Sequence, residues 1–243
     1  MEHTHPTRVR FAYDWYRDFL ETLVDADRRF RGFDDSIEAG DVLLRHDVDL
    51  SIQGAKEMAR IESEAGVRST YFLLVSSPLY NPVERETRQA IREIDSLGHE
   101  IGLHFSTHAY WPEGEEPDES QLRTYVENER GVLDGIVPDL ADTVSFHIPP
   151  DWVLNRRFDG IPSTYEPAYF SQVDYCSDSR QRWRDDPPLT DGIPDKLQVL
   201  THPSLWGDSE RPFTECVQNA VAEATRRATR CTTREFIEER YSA

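Results

Sequence analysis

Residues 43–51 read LLRHDVDLS, and residues 98–108 read GHEIGLHFSTH. Side chains alternate faces along a strand, so Asp47 and Asp49 point the same way. Two like charges on one face are unfavourable unless a positive group lies near them. The second stretch suggests what that group is. His104 and His108 follow the H-x-x-x-H spacing, and on a strand end running into a loop both can turn to one point. Asp49, His104 and His108 make two imidazoles and one carboxylate, which leaves open positions on a metal, as catalytic sites do. A divalent cation there would neutralise the second carboxylate. A two-histidine, one-carboxylate set also suits non-haem iron. Those sites usually keep one histidine close to the carboxylate on one strand, and the paired histidines here reverse that order.

The other histidines divide by position. His46 alternates with Asp47 and should face outward, toward covering helices, as a structural residue. His99 follows Gly98 at a turn and reads the same way. His147 and His202 each end a predicted strand, where parallel α/β folds carry their working face. Arg45 shares the face of Asp47 and Asp49 and is a candidate ion-pair partner for them. His3 and His5 read as chain end and not as ligands.

The elements that must hold these groups follow from periodicity. Residues 13–33 carry Trp15, Phe19, Leu20 and Leu23 at helical spacing. Strands are expected over 41–49, 69–77 and 99–105. The helices between them should cover 51–66, capped by Ser51 and stopped by Gly66, and 82–98, opened by Pro82 and closed by Gly98. The β-α-β-α-β rhythm implies parallel strands with right-handed crossovers. A helix over 119–136, strands over 142–148 and 196–203, and helical packing over 213–241 follow. Residues 150–195 are rich in Pro, Asp, Ser and Tyr, and read as functional loops with short strands. Their Trp152, Tyr165, Tyr169, Phe170, Tyr175 and Trp183 could stack on the rings of a bound substrate or serve as ordinary packing. Trp206 is open to the same two readings. No linker or repeat is visible, so residues 1–243 are expected to form one domain.

Bulk properties narrow the class. The net charge is −19, from 46 acidic and 27 basic residues, and only two of the basic residues, Lys56 and Lys196, are lysines. An acidic, lysine-poor surface is expected of a protein adapted to high salt, where screening relieves self-repulsion. The same charge argues against nucleic acid or an anionic membrane as partner. Three cysteines without CxxC spacing, no apolar leader and no long apolar run lead to the expectation of a cytoplasmic protein without membrane insertion. Composition says nothing about oligomeric state.

Taken in order, RHDVD, GHEIGLHFSTH, FHIPP, YCSDS and LTHP resemble the polysaccharide deacetylases, the NodB-homology group of carbohydrate esterase family 4. The resemblance runs from about residue 10 to residue 240. It implies a distorted (β/α)7 barrel, a divalent metal (usually Zn2+, or Co2+) and removal of N-acetyl groups from amino sugars or glycan precursors. Relatives act on other amide-type C–N bonds. Position by position, Asp47 matches the general base, Asp49, His104 and His108 the metal ligands, and His202 the general acid. Leu200 matches a pocket leucine that faces the acetyl methyl. Asp178, with Trp183 nearby, is the loose match for the carboxylate that tunes the acid. His147 falls where the family has an arginine that steadies the base, which makes Arg45 the candidate replacement. Pro150 stands where a backbone N–H is expected to help bind the oxyanion, and proline has none to give. Phe105 stands where the family prefers Ser or Thr. These departures leave open a sugar-binding relative without turnover.

Overall fold

A computed structural model describes residues 8–33 and 36–238; the terminal His3 and His5 lie outside them. The order is α1 (Tyr13–Asp25), β1 (Arg29–Arg31), β2 (Asp41–Val48), α2 (Ile52–Glu64), β3 (Thr70–Leu74), α3 (Arg85–Ser96), β4 (Glu100–Phe105), α4 (Glu119–Asp134), β5 (Leu140–Phe146), β6 (Asp174–Ser177), β7 (Lys196–Thr201) and α5 (Phe213–Thr233). Helix α1 stops eight residues before the end of the helical segment expected over 13–33. Asp27 turns the chain with a φ of 53°, and Arg29 and Arg31 then pair as a strand with β2 while reaching the buried Asp41 carboxylate at 2.7 and 3.4 Å. Ser51 caps α2 as expected, accepting from the Gly54 N–H at 3.3 Å. Helix α3 begins later than Pro82, because Glu84 accepts from the N–H groups of Glu86 and Thr87.

All strands run parallel, in the order β5-β4-β3-β2-β7-β6, with β1 beside the start of β2. This is the cyclic order of a β/α barrel, opened between β5 and β6. Residues 162–164 lie along β5 through the Val144–Ser163 bridge, and side chains span the rest of the gap. Gln198 of β7 donates to the carbonyls of Thr164 (3.4 Å) and Tyr169. Arg45 of β2 donates to the Tyr165 hydroxyl at 2.9 Å.

Strand alternation sorts the chemistry. On β2, Val42, Leu44 and Val48 join the apolar layers under the helices, while Leu43 packs with Phe33 and Phe72 inside the barrel. Arg45 and Asp47 share that inner face. On β4, Gly102 and His104 face inward. A methyl at Gly102 would lie 2.6 Å from the Phe72 ring, so glycine makes room for the inner packing directly below His104. Among the described residues no helix is long and apolar enough to cross a membrane.

Candidate active site

The site sits at the C-terminal ends of β2, β4, β5 and β7. Asp49 follows the last residue of β2, and its Oδ1 lies 3.1 Å from His104 Nε2 and 3.1 Å from His147 Nδ1. The two imidazole nitrogens are 3.1 Å apart. His104 Nδ1 faces the Ser145 carbonyl at 3.0 Å. A carbonyl only accepts, so Nδ1 carries the proton and the Nε2 lone pair faces the other two groups. Asp49 Oδ1 is buried and has no well-aligned hydrogen-bond donor. Two ring nitrogens and an orphaned carboxylate oxygen converging on one point form a donor set that fits a divalent cation, with nitrogen and oxygen ligands suited to zinc. Burial acts to raise the Asp49 pKa. The adjacent His104 and His147 rings, with His202 nearby, outweigh it and hold the carboxyl well below its usual range.

The third member differs from the sequence expectation. His108 is exposed, and its Nε2 lies 3.1 Å from the Ile148 carbonyl. That nitrogen is therefore committed as a donor, and His108 stays outside the trio. His147 takes the place because it lies two residues beyond Ser145 on the inner face of β5. Its N–H donates to the Phe105 carbonyl, carrying the β4–β5 pairing one step further. The role expected of His147, steadying Asp47, is not what its contacts provide: its ring meets Asp49 and His104. The turn that follows is strained. Ile148 is 66% exposed with a φ of 44°, a conformation costly for a β-branched residue.

Asp47 stays beside the trio without joining it. Its Oδ1 accepts from the Ser145 hydroxyl at 2.9 Å, and its Oδ2 lies 3.8 Å from Arg45 Nη2. Arg45 is fully buried, with its guanidinium over the Tyr165 ring at 4.7 Å. The partner foreseen for Asp47 is thus at hand, and Tyr165, from a region without periodicity, holds it there.

His202 follows β7. Its Nδ1 meets Asp178 Oδ1 at 2.6 Å, and its backbone N–H donates to the same carboxylate. Burial pushes its pKa down. The Asp178 charge and hydrogen bond, with smaller contributions from Asp49 and Asp47, overcome this and raise it to about 9. Nε2 faces the site, 3.9 Å from Asp49 Oδ2. Asp178 is itself buried and receives the Trp206 indole N–H at 2.8 Å. Trp206 therefore fixes Asp178 behind His202. Trp183 is 1% exposed and packs against Phe19 and Trp206. Neither tryptophan lines the pocket, which corrects the expectation of sugar stacking for both. Leu200 does line it, as do Tyr165, Phe170 and Tyr175 from the loop region. The pocket holds about 540 Å³, the size of a small-molecule site.

His46 and His99 keep their structural reading and disclose a group the periodicity did not flag. Glu62 of α2 is fully buried. It receives the Tyr16, Ser69 and Tyr71 hydroxyls at 2.5, 2.5 and 2.9 Å and lies 2.8 Å from His46 Nε2. His99 bridges Ser69 and the Ala59 carbonyl. Glu62 falls on the apolar stripe of α2, and that placement was the one available signal.

No protein-family model matches the chain, and no curated protein matches it. Similar solved structures exist. A polysaccharide deacetylase from Bacillus cereus is 14% identical, over 77% of this chain and 88% of that one, with a TM-score of 0.47. A peptidoglycan deacetylase from Bacillus subtilis is 12% identical, over 85% and 98%, with a TM-score of 0.47. A CE4 family pseudoenzyme from Bacillus anthracis is 15% identical, over 76% of this chain, with a TM-score of 0.45; the match spans 60% of that protein's length.

Proposed function

We propose that the protein is a metal-dependent hydrolase of an amide-type C–N bond, removing an N-acetyl or other N-acyl group from an amino sugar or glycan precursor. The observation that carries this reading is one pocket lined by a nitrogen–oxygen trio, a separate carboxylate and a histidine with a buried carboxylate behind it. Bound at Asp49, His104 and His147, a divalent cation, most simply Zn2+, would supply Lewis acidity and a water acidic enough to react near neutral pH.

The chain's own residues divide the remaining work. Asp47 takes the proton of the attacking water. Its Oδ1 is oriented by the Ser145 hydroxyl, and the Arg45 guanidinium lies 3.8 Å from its Oδ2. His202 gives a proton to the departing amine from Nε2, since Asp178 holds the other ring nitrogen. Leu200 offers an apolar contact for an acyl methyl, and Tyr165, Phe170 and Tyr175 offer aromatic walls for the rest of the substrate.

The test is acetate release from N-acetylglucosamine and its short oligomers by metal-stripped protein reloaded with Zn2+ or Co2+. Asp47→Asn and His202→Ala should each lower kcat by about 100- to 10,000-fold. Full activity in Asp47→Asn, or no turnover with any divalent metal, sinks the reading. Pro150 favours the second reading, a sugar-binding protein without turnover, because one oxyanion donor is typically worth about 100- to 1000-fold in rate. Saturable sugar binding without acetate release is its expected signature.

A further inference from the structure

The pocket carries positive charge that the chemistry above does not use. Arg180 and Arg182 both line it, and both are exposed. Among the described residues neither has an ion-pair partner, whereas Arg184, two residues on, is paired with Glu210. The contrast with the rest of the molecule is sharp. The chain has 46 acidic residues, yet the acidic residues lining this pocket, among those described, are Asp47 and Asp49, both at the reacting centre.

The backbone is built to present the two arginines. Arg180 and Gln181 are consecutive left-handed residues, with φ of 53° and 61°, a conformation that costs free energy without glycine. Gln181 is buried, donates to the Arg211 carbonyl at 2.8 Å and accepts from Arg184 Nε at 3.2 Å. Trp183 is fixed in the aromatic core. Residues 181 and 183 are thus anchored inward, and 180 and 182 are left along the pocket. A guanidinium pairs with a carboxylate or phosphate through two parallel N–H donors. On a molecule with a net charge of −19, long-range repulsion works against capture of an anion, so local cations are what would admit one.

We infer that the substrate carries an anionic group, a carboxylate or a phosphate, in addition to its N-acyl group, and that Arg180 and Arg182 bind that anion while the amide lies at Asp47, Asp49 and His202. The inference rests on the deacylase reading for the identity of the reacting bond.

Binding to the full-length, zinc-loaded chain tests it. The probes are N-acetylglucosamine, its 6-phosphate and the matching 6-carboxylate. At low salt the two anionic sugars should bind at least about tenfold more tightly than the neutral one. That preference should collapse toward unity in R180Q/R182Q and survive in R85Q/R88Q, which removes equal charge from the exposed face of α3. The phosphate and carboxylate arms decide which anion fits better. Equal affinity for neutral and anionic sugars, or equal loss in both double variants, overturns the inference. Acetate release measured in parallel separates the two readings. Anion preference without turnover keeps this inference and removes the deacylase; turnover without preference does the reverse.

Discussion

At the residue scale, the question is which imidazoles bind a cation. His147 and His104 face Asp49 with their ring nitrogens 3.1 Å from its Oδ1, while His108 donates to a carbonyl. His147→Ala should therefore weaken zinc binding by about 100-fold or more. His108→Ala should change it by less than about tenfold, a difference equilibrium dialysis with a competing chelator resolves. The reverse order would return His108 to the ligand set. His202, the acid in the proposed reaction, permits a second measurement. His202 is raised to about 9, with Asp178 the largest favourable cause. A raised pKa keeps the proton-donating form populated up to that value and loses it as pH climbs through it. A bound cation offsets Asp47 and Asp49, but Asp178 keeps its own contribution. Asp178→Asn should move the alkaline limb of the pH–rate profile to lower pH, leaving zinc affinity within about tenfold. An alkaline limb that does not move would mean that another group donates the proton.

At the element scale, the Glu62 network ties α1, α2, β2 and β3 together beneath the site. His46 lies in it, and the next residue, Asp47, lines the candidate active-site pocket. Burial acts to raise the Glu62 pKa, but His46 first, then His99 and Ser69, bring it down to about 2 from 4.5. A depressed carboxyl pKa contributes stability that is present above 4.5 and lost as pH falls toward 2. His99 works in the same direction. Burial lowers its pKa below 6.5, so the unfolded chain takes up a proton that the fold refuses, and stability declines below pH 6.5. The melting temperature should thus drop steadily from pH 6.5 to pH 3. Glu62→Gln should cost about 3–5 kcal/mol in urea denaturation at pH 7 and flatten that pH dependence. A loss under about 1 kcal/mol would show that the network does not hold these elements together.

At the scale of the whole molecule, the −19 net charge and scarcity of lysine imply a surface under self-repulsion at low ionic strength. Added KCl shortens the screening length from about 10 Å at 0.1 M to about 3 Å at 1 M. The melting temperature should rise over that range. A flat or falling curve would remove the case for adaptation to high salt. The same screening should erode any anion preference at Arg180 and Arg182, since those side chains are exposed, while leaving the pair of His202 with the buried Asp178 largely intact.

Much of this protein is written locally. Alternation along LLRHDVDLS put Arg45 and Asp47 on one face and His46 on the other, and the structure keeps that division, because a strand allows no other; Asp49, one residue past the strand end, still turns to the same site. The parallel rhythm of the first hundred residues, the Ser51 cap and the strand-end positions of His147 and His202 were legible for the same reason: each depends on neighbours a few residues away. Three features depend on contacts between distant segments and were decided by tertiary structure. His147 takes the place expected of His108 in the trio because β5, after a register shift, sets Ser145 beside His104 and carries the inner-face pattern one residue past Phe146. Trp206 and Trp183 turn from the pocket to the core because α1 brings Trp15 and Phe19 against them. Tyr165 closes the barrel over Arg45 from a stretch with no periodicity, where each residue's placement is set by the barrel wall it meets and not by its own neighbours.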